Sequence, residues 1–180
     1  MANTKPIINP HAFLGGIPTE KLQSTLKGVR IKHFVLDFDG VFTTGQFLYT
    51  KEGKYAKICG AHDNDGIKMI KKFVDICIIT ADKRGSEITK KRVEDMGLRL
   101  EIVSEPERIE WMKNNFDLSE TVYMGDGIYD AELFPLVAYS IAPSNAFYTV
   151  CEKADYVTKC KSGEGAVLDA CLHIIDKFFN

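Results

Sequence analysis

Residues 35–45 read VLDFDGVFTTG, an apolar run that ends in two carboxylates, Asp37 and Asp39, followed at once by a glycine. In an extended chain, side chains two apart point the same way, so both acids face one pocket while Phe38 turns into the protein. Two anions held that close repel one another and raise one pKa unless a cation lies between them. A second acidic pair lies in YMGDGIYD, with Asp126 just past the apolar run TVYMG and Asp130 four residues further on. Carboxylate oxygens from both pairs, converging on one crevice, suit a hard divalent ion such as Mg2+, which prefers oxygen ligands and keeps several waters. Asp-Gly is also a common turn dipeptide, so either pair alone reads as a solvated turn. Their joint occurrence, each after an apolar run, points to chemistry.

Two further residues suit an anion. Thr80 ends the run in IITAD, where a hydroxyl beside the N–H groups of a helix start either holds a phosphate oxygen or caps a turn. Ser104 and Glu107 form an S-x-x-E helix-start pattern, which places Arg108 in the first turns, where the macrodipole disfavours a cation. Either an anion or plain solvation offsets that cost.

Bringing these residues together requires strands that end side by side. The apolar runs IKHFVLD, DICIIT, LRLEIV, TVYMGD and VAYSIA alternate with stretches whose apolar residues recur three and four apart, in DGIKMIKKF, residues 85–96, residues 105–116 and EGAVLDACLHIIDKFF. Such alternation predicts an α/β fold, a three-layer Rossmann-like parallel sheet with helices on both faces, whose ligands sit beyond the carboxyl ends of the strands. The segment GQFLYTKEGKYAKICG breaks the rhythm and predicts a small β-hairpin inserted after the first strand, its extent taken as residues 44–59. Residues 1–18 hold three of the six prolines and predict an arm, and Thr19 predicts the cap of a short helix ending at Gly28. Residues 1–29 thus form an N-terminal arm with a short helix, and residues 30–180 a single domain.

Composition removes other function classes. The chain has 180 residues and a formal charge of −2, with 25 acidic against 23 basic side chains and no long Lys/Arg run, so nucleic-acid binding is disfavoured. MANTKPIINPHAF lacks the pattern of a secretory signal, and no segment approaches a membrane span. Cys59, Cys77, Cys151, Cys160 and Cys171 are odd in number and form no C-x-x-C pair, which suggests neither disulfides nor a zinc site. A cytoplasmic protein is expected.

The order of D-x-D-G after a strand, a later strand-ending Thr, a basic residue opening a helix, and G-D-x-x-x-D resembles the haloacid dehalogenase superfamily of phosphatases. Over roughly residues 30–176, the segments LDFDGVFTTG, DGIKMI, IITADKR, VYMGDGIYDAELF, ADYVT and GEGAV resemble one branch of it. That branch comprises the 3-deoxy-D-manno-octulosonate 8-phosphate phosphatases and the related phosphatase-like domains of acylneuraminate cytidylyltransferases.

The resemblance implies that Asp37 is the nucleophile and Asp39 the general acid/base. It implies that Asp37, the backbone carbonyl of Asp39 and Asp126 hold Mg2+, and that Asp130 supports the metal shell. Thr80 and a basic residue would bind the phosphoryl group, together with Gly40 and Ala81. Arg108 stands where the branch usually carries lysine, and Lys83 and Lys113 are the other cations at hand. His62 stands where the octulosonate phosphatases tend to have arginine, and either meets a substrate carboxylate or hydroxyl or lies in solvent at a helix start. The resemblance further implies the absence of a large cap domain and a homotetramer built partly by the hairpin. The implied activity is a phosphomonoesterase for a phosphorylated sugar acid, the octulosonate 8-phosphate first and a nonulosonate 9-phosphate or another sugar phosphate of surface-polysaccharide synthesis next. A low-activity tetramerisation module associated with a cytidylyltransferase is a different class. A signalling receiver domain is a third, disfavoured because LRLEIV ends without an aspartate.

Overall fold

In chain order, residues 30–180 form β1 (His33–Asp37), the hairpin strands β2 (Thr43–Thr50) and β3 (Gly53–Cys59), α1 (Asp63–Ile70), β4 (Asp75–Thr80), α2 (Ser86–Asp95), β5 (Arg99–Ile102), α3 (Arg108–Asn115), β6 (Thr121–Met124), β7 (Tyr139–Ala142), α4 (Tyr148–Cys151), β8 (Tyr156–Val157) and α5 (Ala166–Phe178). These are the residues described by the computed structural model. The expected arm and its short helix lie outside the described residues.

Six strands make one parallel sheet in the order β5-β4-β1-β6-β7-β8, and β2 pairs antiparallel with β3 as a separate two-stranded sheet. Phe34, Val35 and Leu36 of β1 are wholly buried, as a central parallel strand covered on both faces must be. Alternation along the strand divides the core. Phe34 and Leu36 join Ile67 and Ile70 of α1 and Val167, Ala170 and Ile174 of α5. Val35 turns to the other face, with Ile79, Tyr123, Met112 of α3 and Val150 of α4. Helices therefore cover both faces, and each fully buried large apolar side chain stabilises the fold by roughly 1.5–3 kcal/mol.

α1 and α5 approach closely because Gly66 has no side chain; a Cβ there would meet the Leu168 backbone. Asp63, the first residue of α1, fixes the pair by accepting a hydrogen bond from the Val167 N–H at the start of α5, 3.0 Å away.

The hairpin spans Thr43–Cys59, one residue longer than the expected 44–59. The expected capping box at Ser104 is not formed. Pro106 lies in the first turn, Glu105–Glu107 is a 3-10 turn, and α3 begins at Arg108. The Ser104 hydroxyl donates to the Glu107 carboxylate instead of receiving a backbone N–H. No helix among the described residues is long and apolar enough to cross a membrane.

Candidate active site

The chain runs from β1 to β4 and β5 on one side and then returns to β6 on the other, so the direction of winding reverses between β1 and β6. A crevice opens at such a point, beyond the strand ends. Here it is a cleft of about 440 Å³ whose lining includes Asp37, Asp39, Thr80, Arg108, Asp126 and Asp130. Asp37 is the last residue of β1, Thr80 the last of β4, and Asp126 follows β6 by two residues. The turn after β1 is tight, with the Phe38 carbonyl accepting from the Phe42 N–H at 3.0 Å. Gly40 has φ +81° and donates its N–H to Thr43 Oγ1 at 3.0 Å. A Cβ at position 40 would run into the Asp126 carboxylate, so glycine lets the turn close onto it.

One oxygen each from Asp37, Asp126 and Asp130 lie within 4.8 Å of one another. Their surroundings give them different capacities. Asp130 Oδ1 accepts from Tyr123 Oη at 2.5 Å and from Arg108 Nη1, while Oδ2 accepts from the N–H groups of Asp126 and Gly127 at 3.1 and 2.9 Å. Both oxygens of Asp130 are thus occupied, which suits the supporting position expected for it. Asp37 is 7 % exposed and meets Arg108 Nη2 at 3.3 Å. Burial pushes its carboxyl well above the ordinary carboxylate range, Asp130 adds to this, and Arg108 only partly opposes it. Asp126 has no ion pair among the described residues; burial, with the Asp130 charge second, pushes it up to about 7. Two crowded carboxylates that resist ionisation, one without a cation, have the donor chemistry of a site for a hard divalent ion.

Arg108 is 3 % exposed, which removes the solvated alternative. The anions offsetting the helix-start cost are Asp37 and Asp130. Burial works against its charge, but Tyr123, Asp37 and Asp130 outweigh burial and hold the guanidinium above its ordinary value.

Asp39 also lines the cleft, yet its carboxylate is engaged elsewhere. Oδ2 accepts from Thr80 Oγ1 at 3.1 Å and from Lys57 Nζ at 2.8 Å. Each of the two acids has a side-chain cation beside it, Arg108 at Asp37 and Lys57 at Asp39. Lys57 comes from β3, and its ammonium also reaches Thr89 at 2.7 Å and Asp82 at 2.8 Å. Burial opposes the Asp82 charge, but hydrogen bonds from Lys54 and Lys57 outweigh it and hold Asp82 down to about 2. The Thr80 hydroxyl accepts from the Asp82 N–H at 3.1 Å, so its own proton is given to Asp39.

Ala81 and Lys83 line the cleft, and Gly40 lies against the Asp126 carboxylate. His62 does not reach it. This residue is exposed and borders a separate groove with Lys159, Cys160 and Leu172, because the start of α1 is turned to α5. Lys113 is exposed on α3 and is not part of the lining. Lys54, Lys57, Asp82 and Tyr123 were not anticipated. For Tyr123 a signal existed, since a phenol inside the buried run TVYMG needs a hydrogen-bond partner. For Lys57 there was none, because a hairpin lysine is ordinarily solvated.

Residues 111–170 match the family described as haloacid dehalogenase-like hydrolase. A 3-deoxy-D-manno-octulosonate 8-phosphate phosphatase of Haemophilus influenzae is 31% identical over 141 residues, covering 76% of this chain and 78% of the relative. The solved cobalt-bound form of the Haemophilus influenzae phosphatase superposes with a TM-score of 0.73 at 27% identity, covering 83% of this chain and 90% of that one. The phosphatase of Moraxella catarrhalis, solved with magnesium, phosphate and the octulosonate, shares the fold with a TM-score of 0.76 at 24% identity, covering 91% and 95%.

Proposed function

The chain belongs to the haloacid dehalogenase superfamily as a sugar-phosphate phosphatase, and from that premise we propose that its substrate is 3-deoxy-D-manno-octulosonate 8-phosphate, that Mg2+ is its metal and that Asp37 is its nucleophile. The observation that carries the reading is the placement of a buried carboxylate, Asp37, at the end of the central strand beside Arg108 and the Asp126 and Asp130 carboxylates. Asp37 and Asp126, with the Asp39 carbonyl, would hold the ion, and Asp130 would keep Asp126 and Arg108 in place. When bound, a divalent cation neutralises charge on phosphoryl oxygens and suppresses their repulsion of a carboxylate.

Asp37 Oδ attacks phosphorus and the P–O bond to the sugar breaks, giving an aspartyl phosphate and a departing alkoxide. Asp39 gives its proton to that alkoxide, and then takes one from the water that attacks the aspartyl phosphate and releases inorganic phosphate. Arg108 presents planar N–H donors beside Asp37, a geometry that fits phosphoryl oxygens. Thr80 ties the sugar-side acid to the phosphate end of the cleft through its hydroxyl.

Phosphate release should be measured from a panel of sugar phosphates in Mg2+ and in EDTA. We expect metal-dependent turnover with the highest kcat/KM on the octulosonate 8-phosphate. A higher value on a nonulosonate 9-phosphate moves the substrate assignment, and no release from any sugar phosphate overturns the reading in favour of an assembly module.

The same proposal includes a homotetramer. Leu48, Tyr49, Tyr55 and Ile58 of the hairpin are about half exposed or more, a quantity of apolar surface that suits a partner subunit. Sedimentation at micromolar concentration is expected to give four chains per particle, and a monomer removes this part of the proposal.

A further inference from the structure

The cleft lining holds two buried cations from different elements. Arg108 comes from α3 and is committed to Asp37 and Asp130, whereas Lys54 comes from β3 and reaches one acid among the described residues, Asp82. Their side chains are 4 % and 5 % exposed. An irregularity of the hairpin turns Lys54 inward. Leu48 pairs with Ala56 and Tyr49 with Lys54, which leaves Tyr55 as an extra residue on β3. In a regular strand residues 54 and 57, three apart, face opposite ways. An extra residue re-aims the side chains beside it. Here Lys54 meets the same carboxylate as Lys57, and Tyr55 is left exposed.

That carboxylate is shared. Asp82 Oδ2 receives both ammonium groups, and Lys57 has Asp39 in addition. Lys54 is left with part of one negative charge. Its other neighbour is the Phe47 ring, whose centroid lies 3.5 Å from Nζ and which attracts a cation without neutralising it. An ammonium has three N–H donors, and Asp82 is the one hydrogen-bond acceptor that Lys54 meets among the described residues. A desolvated cation with donors to spare favours a further anion. Lys83 and Arg84 add two exposed positive charges to the lining, against one exposed acid, Glu105.

We propose that Lys54 is a specificity-determining residue that receives the carboxylate of the substrate while Arg108 meets its phosphoryl group. The inference rests on the sugar-acid reading given above. A phosphorylated sugar acid carries two separate anions, and two cations held on separate elements match that pattern; a neutral sugar phosphate would leave Lys54 with Asp82 alone. Lys83 and Arg84 steer such a substrate inward. Lys54 holds it, because a side chain already fixed by Asp82 and Phe47 loses less freedom on binding than an exposed one. The competing account is a structural staple that joins β3 to the β4–α2 connection through Asp82.

The two accounts separate on the charge of the substrate. The quantity to measure is the ratio of kcat/KM on the octulosonate 8-phosphate to kcat/KM on its carboxamide analogue, in Mg2+, for the full chain. The parent is expected to prefer the carboxylate. Lys54→Met keeps an unbranched stem beside Phe47 and is expected to lower the ratio by about 10-fold or more, through KM on the carboxylate, as loss of a charge-assisted hydrogen bond does. Lys83→Met is expected to lower it by less than about 5-fold, as loss of an exposed charge does.

A parental ratio in Lys54→Met overturns the assignment, and so does an equal fall in Lys83→Met, which identifies a diffuse field instead. Equal losses on both esters in Lys54→Met identify a staple and also overturn it. A parent without preference between the two esters overturns carboxylate recognition but leaves a sugar-phosphate phosphatase, whereas no metal-dependent release from either ester overturns the underlying reading and this proposal with it. Should circular dichroism show that Lys54→Met does not fold, Lys54→Gln decides: its amide keeps an N–H for Asp82 without the charge, so a lowered ratio supports the proposal and a parental ratio overturns it.

Discussion

Replacing Asp37 by asparagine is expected to lower kcat on a sugar phosphate by on the order of 10⁴-fold or more while leaving the fold intact, as loss of a covalent nucleophile does elsewhere. The carboxamide keeps the shape and a hydrogen-bonding oxygen for Arg108, but it cannot form the acyl phosphate. The same substitution is expected to raise, not lower, the melting temperature of the metal-free protein at pH 8. Asp37 has a folded pKa well above its ordinary value, through burial first and Asp130 second, and Asp126 is raised from 3.8 to about 7 by the same causes. A carboxyl raised on folding binds its proton more tightly in the native state. Its stabilising contribution is complete below the ordinary carboxylate value and is lost as pH rises through the folded value. In EDTA the parent should therefore melt at progressively lower temperature between pH 5 and pH 8, and Asp37→Asn should show a shallower fall and the higher melting point at pH 8. Scanning calorimetry across that range measures it. A variant that melts several degrees below the parent at pH 8 would mean that the Asp37 and Arg108 pair outweighs the burial of the carboxylate.

That opposition between activity and stability bears on what was legible in the sequence. The runs around β1, β4 and β6 could be read because parallel strands buried on both faces are continuously apolar, and the carboxylates could be read because they interrupt such runs at their ends. Their number and order then sufficed to place Asp37, Asp39, Asp126 and Asp130 around one crevice. Arg108 could not be assigned either way, because a helix start says nothing of what lies across from it; its burial follows from Asp37 and Asp130, 71 and 22 residues away in the chain. Lys57 was invisible for a similar reason. Only the folding of the hairpin back over the β4–α2 connection turns an ordinary hairpin charge inward. His62 shows the converse error of proximity in sequence, since the turn that carries it leads to the α1–α5 contact and away from the cleft. The elements α4 and β8, four and two residues long, are too short to impose a period.

Asp130 is where the largest loss of stability is expected, although Asp130 was expected only to support a metal shell. Four donors converge on its carboxylate: the Arg108 guanidinium, the Tyr123 hydroxyl and the N–H groups of Asp126 and Gly127. Removing one partner of a buried ion pair costs about 3–5 kcal/mol, because the remaining charge is left without compensation. Asp130→Ala is therefore expected to lose about that much, with the phenol and the two N–H groups left short of acceptors as a further penalty. Asp130→Asn keeps an acceptor of the same shape and should lose less. The contrast that isolates the cause is Asp126→Ala. Its carboxylate lies in the same cleft and within 4.8 Å of Asp130, but it receives no cation among the described residues and resists ionisation. Removing it should cost under about 1 kcal/mol or stabilise the metal-free protein, in line with a group that burial penalises. Urea unfolding of the three variants in EDTA at neutral pH orders them. Equal losses for Asp130→Ala and Asp126→Ala would refute the division of labour between the two acids, in which one organises the polar core of the cleft and the other is kept available at its surface.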